Sequence, residues 1–414
     1  MLSRTIQLVA IGVAARSASA QSPDSLTLEQ SLTRALASRP QVVVASAAVE
    51  RARGQHRVAG MIPNPSAQIQ RDELAPTRTV TLVQPLAWIP RRAADRSATR
   101  AMVAGAVADS AQLIAEIGRQ VRRAFFAALA ADERMRLLNE QAVLADSLVI
   151  LAERRVAAGD ISALERDQVA QEAARARLAS LQAREGARVA RIDFARAVGG
   201  TPGDAPSPAG SLADALDQSA DSSRLMGGAS SSTFVPPDAI STLPGMRTAL
   251  ADSTAAAARY RSARWAQLPV PSLIAGREWG GEPLLRNSAI LGLTLPFPIW
   301  NQGREATAEA RAAARGSAAR AAEMRLSLVA EVEGMRIRAI ETATRARFAR
   351  DSLLPEARRI RAAGVRLYEA GRTGIISVFD ALRVERDVVQ TLVQELLAFQ
   401  EARADLIARL GRWR

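Results

Sequence analysis

Few residues in this chain could perform chemistry. The sequence contains no Cys and a single His, His56, and all 55 of its basic residues are Arg. These absences exclude thiolate or imidazole metal clusters, Cys nucleophiles, His-based triads and the Lys-containing phosphate loop. Only Gln55 and Arg57 flank His56, whereas a transition-metal site needs several converging ligands. We therefore predict no enzyme activity, no metal site and no cofactor.

The net charge of +13 does not indicate a nucleic-acid interface. The arginines are spread along the whole chain and interleaved with 42 acidic residues, whereas a nucleic-acid binder gathers its basic residues into a patch. With 48% hydrophobic but only 4% aromatic residues, the composition is typical of long packed helices with solvated charged faces.

The N-terminal segment up to Ala20 has the organisation of a secretory signal peptide. A short basic start precedes an apolar stretch at residues 6–15, and Ala18, Ser19 and Ala20 form a small-x-small cleavage site. The apolar stretch is shorter than the roughly 18–20 residues of a membrane-spanning helix, and no later uncharged stretch reaches that length. We predict export with cleavage after Ala20 and no transmembrane helix in the exported chain.

The exported chain is a tandem duplication. Residues 21–200 form the first repeat and residues 244–414 the second. Residues 201–243, rich in Pro, Gly, Ser and Asp, are predicted to be a linker or loosely ordered insert. Helix ends that match at one constant offset are Ala158-Gly159 with Ala370-Gly371 and Val198-Gly199 with Leu410-Gly411. The predicted helices are 28–60, 92–158, 162–198, 245–266, 304–370 and 375–410, and the predicted strands are 66–71, 78–86, 272–279 and 288–295.

The longest predicted helix of each repeat, at about 67 residues and 1.5 Å per residue, extends about 100 Å. Such a helix is stable only against neighbours, as in the wall of a coiled coil or helical barrel. Pro355 lies inside the second one and is expected to kink it.

The strand segments alternate apolar and polar residues. In the last of them Leu291 and Leu293 alternate with Gly292 and Thr294. Tryptophans lie at or just beyond strand ends, where a transmembrane barrel carries an aromatic belt, at positions Trp88, Trp279 and Trp300. Two soluble hairpins would show the same alternation. Four strands cannot close a barrel, and lipid tolerates no open sheet edge, so a membrane-spanning sheet would require several chains to share one barrel.

Several short sequence motifs follow one another along the exported chain. They are Leu26-Thr27-Leu28-Glu29-Gln30-Ser31-Leu32, Arg39-Pro40, Pro63-Asn64-Pro65, Gln84-Pro85-Leu86, Arg154-Arg155-Val156-Ala157-Ala158-Gly159-Asp160-Ile161-Ser162 and Tyr368-Glu369-Ala370-Gly371-Arg372-Thr373-Gly374. With them the exported chain resembles the TolC family of outer-membrane efflux channels along nearly its whole length. The segment Leu295-Pro296-Phe297-Pro298-Ile299-Trp300-Asn301-Gln302-Gly303 resembles the subgroup that serves heavy-metal exporters of the cobalt–zinc–cadmium or copper type.

This resemblance implies a fold that is mainly α with a transmembrane β-barrel contribution. Three chains would form a trimeric α-helical barrel in the periplasm and a 12-stranded β-barrel in outer-membrane lipid, with four strands from each chain. Residues 201–243 would lie in an equatorial belt. The homotrimer would be a passive exit duct for an inner-membrane pump of the RND type, joined through a periplasmic adaptor protein. The alternative is that the chain is itself such an adaptor, although the duplication disfavours this.

The resemblance also places the functional residues at the two helix–turn–helix tips. The predicted adaptor-docking residues are Ala158, Gly159, Asp160, Ser162, Ala370, Gly371, Arg372 and Thr373. Ser162 is expected to cap the returning helix of the first repeat through Glu165, and Thr373 is the candidate cap in the second. The alternative is that both glycines merely end helices.

The same tips are predicted to close the resting channel. The resemblance implies a gate formed by Tyr368, Arg372, Glu165 and Asp380, with Asp380 forming a ring that favours cations. Glu165 or, alternatively, Asp160 would pair with Arg372. A surface Tyr and acids that merely stabilise helix starts remain the alternative.

Overall fold

The computed structural model describes residues 25–72, 77–86, 89–212, 216, 237–280 and 287–412. The predicted signal peptide with Ala20, Trp88 and most of the predicted linker lie outside these residues. The first repeat contains strands β1 (Ser25–Leu26), β2 (Ser66–Asp72) and β3 (Thr77–Pro85) and helices α1 (Leu28–Ser38), α2 (Pro40–Val58), α3 (Ile89–Ala157) and α4 (Ala163–Ala197). After these come β4 (Ser207–Pro208), α5 (Pro237–Thr242), α6 (Pro244–Ala266), β5 (Ser272–Gly280), β6 (Asn287–Thr294), α7 (Arg304–Phe348), α8 (Leu354–Glu369) and α9 (Ile375–Arg409).

Two predicted segments differ from the observed structure. The helix predicted over 28–60 is two helices, because Arg39 is extended (φ −82°, ψ 123°) and Pro40 opens a new helix. The described ends of the predicted linker are not loosely ordered. There β4 pairs in parallel with β1, and Leu212 and Ile240 are buried, because these apolar residues cover the helices beneath them.

The long helices pack side by side in an order that changes along the molecule. Near the sheet, the neighbouring helices are α2, α3, α6 and α7, in that order. Near the turns that join α3 to α4 and α8 to α9, they are α4, α3, α9 and α8. The helix α3, with 69 residues, takes part in both of these orders, and α7 also packs against α9. Among the described helices α3 alone is apolar and long enough to cross a membrane, but it is the central helix of this bundle. A π-helical turn, Ala349–Leu353, precedes Pro355, where the missing backbone donor was expected to disturb the helix.

The strands β2, β3, β5 and β6 form one antiparallel sheet in that order. The β3–β5 pair joins the hairpins of the two repeats. Because side chains alternate along a strand, the register divides the sheet into an apolar and a polar face. The apolar face carries Ile69, Val80, Leu82, Leu273, Ala275, Leu291 and Leu293. The polar face carries Gln68, Thr79, Thr81, Ser272, Glu278 and Ser288, together with the partly buried Val83, Ile274 and Ile290. At the helix end of the sheet, Trp300 is 92% exposed.

Ion pairs also join the two repeats below the sheet. Arg119 and Arg123 on α3 contact Asp405 on α9 at 3.3 and 2.9 Å. A hydrogen bond donated by Arg119 holds the pKa of Glu116 below its ordinary value, against the opposing effect of burial. The repeats are therefore tied by charge as well as by a core around Phe125, Phe194 and Phe399.

Candidate functional site

The first tip is the turn between α3 and α4. Gly159 adopts a left-handed conformation, φ +80°, and its N–H donates to Val156 O at 3.0 Å while Asp160 N donates to Arg155 O at 2.9 Å. These bonds close the helix end as glycine-terminated helices usually do. Ser162 then caps α4. Its Oγ accepts from Glu165 N at 3.2 Å, and Glu165 returns a carboxylate oxygen to Ser162 N at 3.0 Å. The predicted cap is confirmed.

The second tip, between α8 and α9, repeats this geometry with one difference. Gly371 has φ +69°, its N–H donates to Tyr368 O, and Arg372 N donates to Leu367 O, both at 2.9 Å. Thr373 does not cap α9, so that prediction is wrong. Gly374 holds the N-cap position, the same place in the repeat that Ser162 holds in the first, and glycine has no side chain to cap the helix. The Thr373 hydroxyl donates to Ser377 Oγ at 3.1 Å instead.

Both turns present small or polar groups to solvent. Ala158, Gly159 and Asp160 are exposed, as are Ala370, Gly371 and Arg372. A Cβ built on either turn glycine meets no atom within 4 Å. Both turns are therefore open surfaces that another backbone could approach closely.

Behind the turns, the two tips share one apolar core. Tyr368 is 1% exposed and packs with Val169 of α4 and Phe379 of α9. The interpretation of Tyr368 as a surface residue is therefore wrong, because the ring fills the space where four helices converge. Its hydroxyl is buried and has no hydrogen-bond partner among the described residues, so the ring and not the hydroxyl makes the side-chain contacts seen there.

Arg155 was not predicted as a site residue, yet it joins the two tips. Its guanidinium carbon lies 4.2 Å from the centroid of the Tyr368 ring, and Nη2 donates to Tyr368 O at 2.9 Å. An arginine over an aromatic face is attracted by the ring quadrupole. One feature of the sequence could have identified Arg155. The two repeats differ at this position, because the residue equivalent to Arg155 in the second repeat is Leu367.

The predicted gate charges do not meet within one chain. Glu165 is engaged with Ser162, and Asp380 pairs with Arg383 at 3.1 Å, which also contacts Glu172. Arg372 is exposed and has no ion pair within the described part of the chain.

His56 has an ordinary structural role. Its Nδ1 lies 3.0 Å from Thr99 Oγ1, which joins α2 to α3. Within the described ranges, no three His, Cys, Asp or Glu residues are grouped so that they could hold a metal ion.

The family model for outer membrane efflux proteins matches residues 31–200 and 235–412, which are the two repeats. The cobalt-zinc-cadmium resistance protein CzcC of Cupriavidus metallidurans is 30% identical over 283 residues, which are 67% of this chain and 65% of that protein. The fold matches the crystal structure of CusC with a TM-score of 0.76 at 16% identity, covering 93% of this chain and 92% of that one. The outer membrane protein VceC of Vibrio cholerae matches with a TM-score of 0.74 at 17% identity, covering 93% and 96%.

These matches extend over both helical repeats and the sheet between them. They are to channels and not to enzymes, and the adaptor alternative is not favoured. The chain therefore belongs to the outer membrane efflux protein family.

Proposed function

We propose that this chain is an outer-membrane efflux channel, the exit duct of a tripartite heavy-metal exporter. In this assembly it works with a periplasmic adaptor and an inner-membrane pump of the RND type. The observation that carries the metal assignment is the 30% identity with a relative named for cobalt, zinc and cadmium resistance. The match covers 65% of that relative's length, so substrate and partners are proposals for this chain.

The sheet supports a homotrimer with a shared 12-stranded barrel. Its edge strands β2 and β6 are paired on one side only, with β3 and β5, and neither has a second strand partner among the described residues. Each unpaired backbone group in lipid costs several kcal/mol. Closure with two further copies would pair both edges, place the apolar face in outer-membrane lipid and line the lumen with the polar face. Most of the chain would then lie in the periplasm.

Export would remove residues 1–20, and N-terminal analysis would find Gln21 first.

A metal-accumulation assay tests the substrate class. Deleting the gene in its host should raise cellular cobalt, zinc or cadmium and lower the concentration at which growth stops, and the plasmid-borne gene should restore both. A hydrophobic dye serves as the control cargo. If the deletion raised dye accumulation and left metal content unchanged, the heavy-metal proposal would be wrong and the channel assignment would stand.

For the gate, we propose that Arg155 and Tyr368 form a latch that keeps the two tips of each chain together in the resting state. The guanidinium is bound both to the ring and to the Tyr368 carbonyl, so separating α3 from α8 must break both contacts. A cation–π contact is worth about 0.5–2 kcal/mol and a hydrogen bond from a charged donor about 1.5–3 kcal/mol. Arg372 and Asp380, exposed at the tips, would complete the gate between neighbouring chains.

Planar-bilayer recording tests the latch. Arg155→Gln should enlarge single-channel conductance, because it removes the charge over the ring and weakens the bond between the tips. Tyr368→Phe should conduct as the wild type does, since the hydroxyl has no hydrogen-bond partner among the described residues and the ring remains.

Arg154→Gln, which removes a neighbouring exposed charge, is the matched control. Unchanged conductance in Arg155→Gln, or equal increases in Arg155→Gln and Arg154→Gln, would contradict the latch.

A further inference from the structure

Three arginines lie together at the loop end of the apolar face of the sheet. In the register of the strands, Arg71 of β2 is directly opposite Arg78 of β3. Arg78 is opposite Trp279 of β5, two positions from Arg277. Arg71, Arg78 and Arg277, the strand-end arginines, therefore occupy neighbouring positions on one face, and all three are exposed.

Three arginines at neighbouring positions of a sheet repel one another, and a bound anion would offset this repulsion. Residues directly opposite in antiparallel strands have Cβ atoms about 4.5–5.5 Å apart, diagonal neighbours about 7–8 Å, and like charges at such positions destabilise a sheet. The acidic residue Glu278 of β5 is opposite Thr79 and holds a register position of the polar face. Within the described ranges no ion pair involves a strand-end arginine.

The position on the sheet identifies the medium that the arginines meet. They share their face with Leu82, Leu273 and Leu291, which is the face that lipid would cover, and they lie at the hairpin end, away from the helices. Arginine on the lipid-facing side of a barrel destabilises it strongly at the midplane and little near the membrane interface, so these side chains belong at the head-group level.

We propose that the strand-end arginines bind the phosphate groups of anionic lipid in the outer leaflet of the outer membrane. This rests on the proposed orientation, in which the helices are periplasmic and the hairpins face outward. Arg binds phosphate through two parallel N–H donors, and three neighbouring guanidinium groups suit a lipid that carries more than one phosphate, such as a diphosphorylated glycolipid. Trimeric symmetry would repeat the cluster around the barrel.

Lipid retention by the full-length trimer in neutral detergent tests the proposal. The trimer should retain diphosphorylated lipid A in preference to its dephosphorylated form, as measured by native mass spectrometry, and added salt should reduce the preference. Each arginine near an anionic surface contributes a factor of about five, so replacing all three by Gln should weaken retention about a hundredfold.

Two matched variants test whether lipid retention depends on the charges at these three positions. They exclude an effect of the protein's net charge or of its folding. Lys at the same three positions should keep most of the preference, because the charges remain. The Gln variant of Arg134, Arg188 and Arg366, three exposed helix arginines, should retain lipid as the wild type does, although it loses the same charge. If the triple sheet variant does not assemble, Arg277→Gln alone should weaken retention about fivefold.

Equal retention of the two lipid A forms by the wild type would overturn the proposal. Equal retention of the phosphorylated form by the wild type and the sheet variant would also overturn it, as would displacement of the lipid by an equal concentration of inorganic phosphate. In each case normal single-channel conductance in a neutral bilayer would show that the channel proposal still stands.

Discussion

Replacing Gly371 by Trp will abolish efflux and leave the trimer assembled. Gly371 lies at the exposed second tip with φ +69°, and a Cβ there meets no atom within 4 Å. The indole would therefore project outward, where we propose that the adaptor backbone approaches, and would not disturb the core. Backbone strain from the left-handed conformation would cost about 1–3 kcal/mol. This cost is small compared with the stabilisation that the packing of helices this long provides. Metal resistance and the mass of the detergent-solubilised trimer are the two measurements.

Gly371→Asn is the matched control for this position. Asn adopts the left-handed conformation more readily than other residues with a Cβ, so the turn should persist and efflux should remain near the wild-type level. A Trp variant with full metal resistance would show that the tip is not the docking surface. An Asn variant as inactive as the Trp variant would show that the turn conformation, and not the added bulk, is responsible.

Replacing Gly276 by Ala will prevent assembly of the channel. Gly276 of β5 is opposite Thr81 of β3, at the seam between the two hairpins. A Cβ there would lie 2.4 Å from Val80 O and 2.9 Å from Thr81 Cα. Both are backbone atoms, so no side-chain rotation removes the clash and the strands must separate. Because unpaired backbone groups in lipid cost several kcal/mol each, we expect loss of the trimer from the membrane fraction.

Gly292→Ala provides the comparison in the same sheet. Gly292 also lies on the polar face, but its Cβ would be 3.7 Å from Ile274 Cβ, which is ordinary van der Waals contact. This variant should assemble and conduct normally. Wild-type yields of trimer from Gly276→Ala would mean that the seam between β3 and β5 is looser than the close approach at Gly276 implies.

The sequence predicted the element order well where the signal is periodic or carried by glycine. The constant offset between the repeats placed both turn glycines correctly, because a left-handed helix end requires Gly in each repeat. The alternation in the strands predicted one apolar and one polar face. The break at Arg39 was missed, since it depends on the backbone conformation of one residue. The second N-cap was also missed, although the constant offset between the repeats places Gly374 at the position equivalent to Ser162.

For the candidate site, the sequence by itself determined which residues are available and tertiary structure decided which of them meet. Composition excluded sites that need Cys, Lys or several His residues, and the repeats located the tips, because these properties are local to the chain. Tyr368 was predicted for the gate, but only the convergence of four helices buries its ring and brings Arg155 over it from a distant part of the sequence. The strand-end arginines likewise become neighbours only through the register between β2, β3 and β5. A one-residue shift of register would move a strand's side chains to the opposite face, and no pattern within a single strand fixes that register.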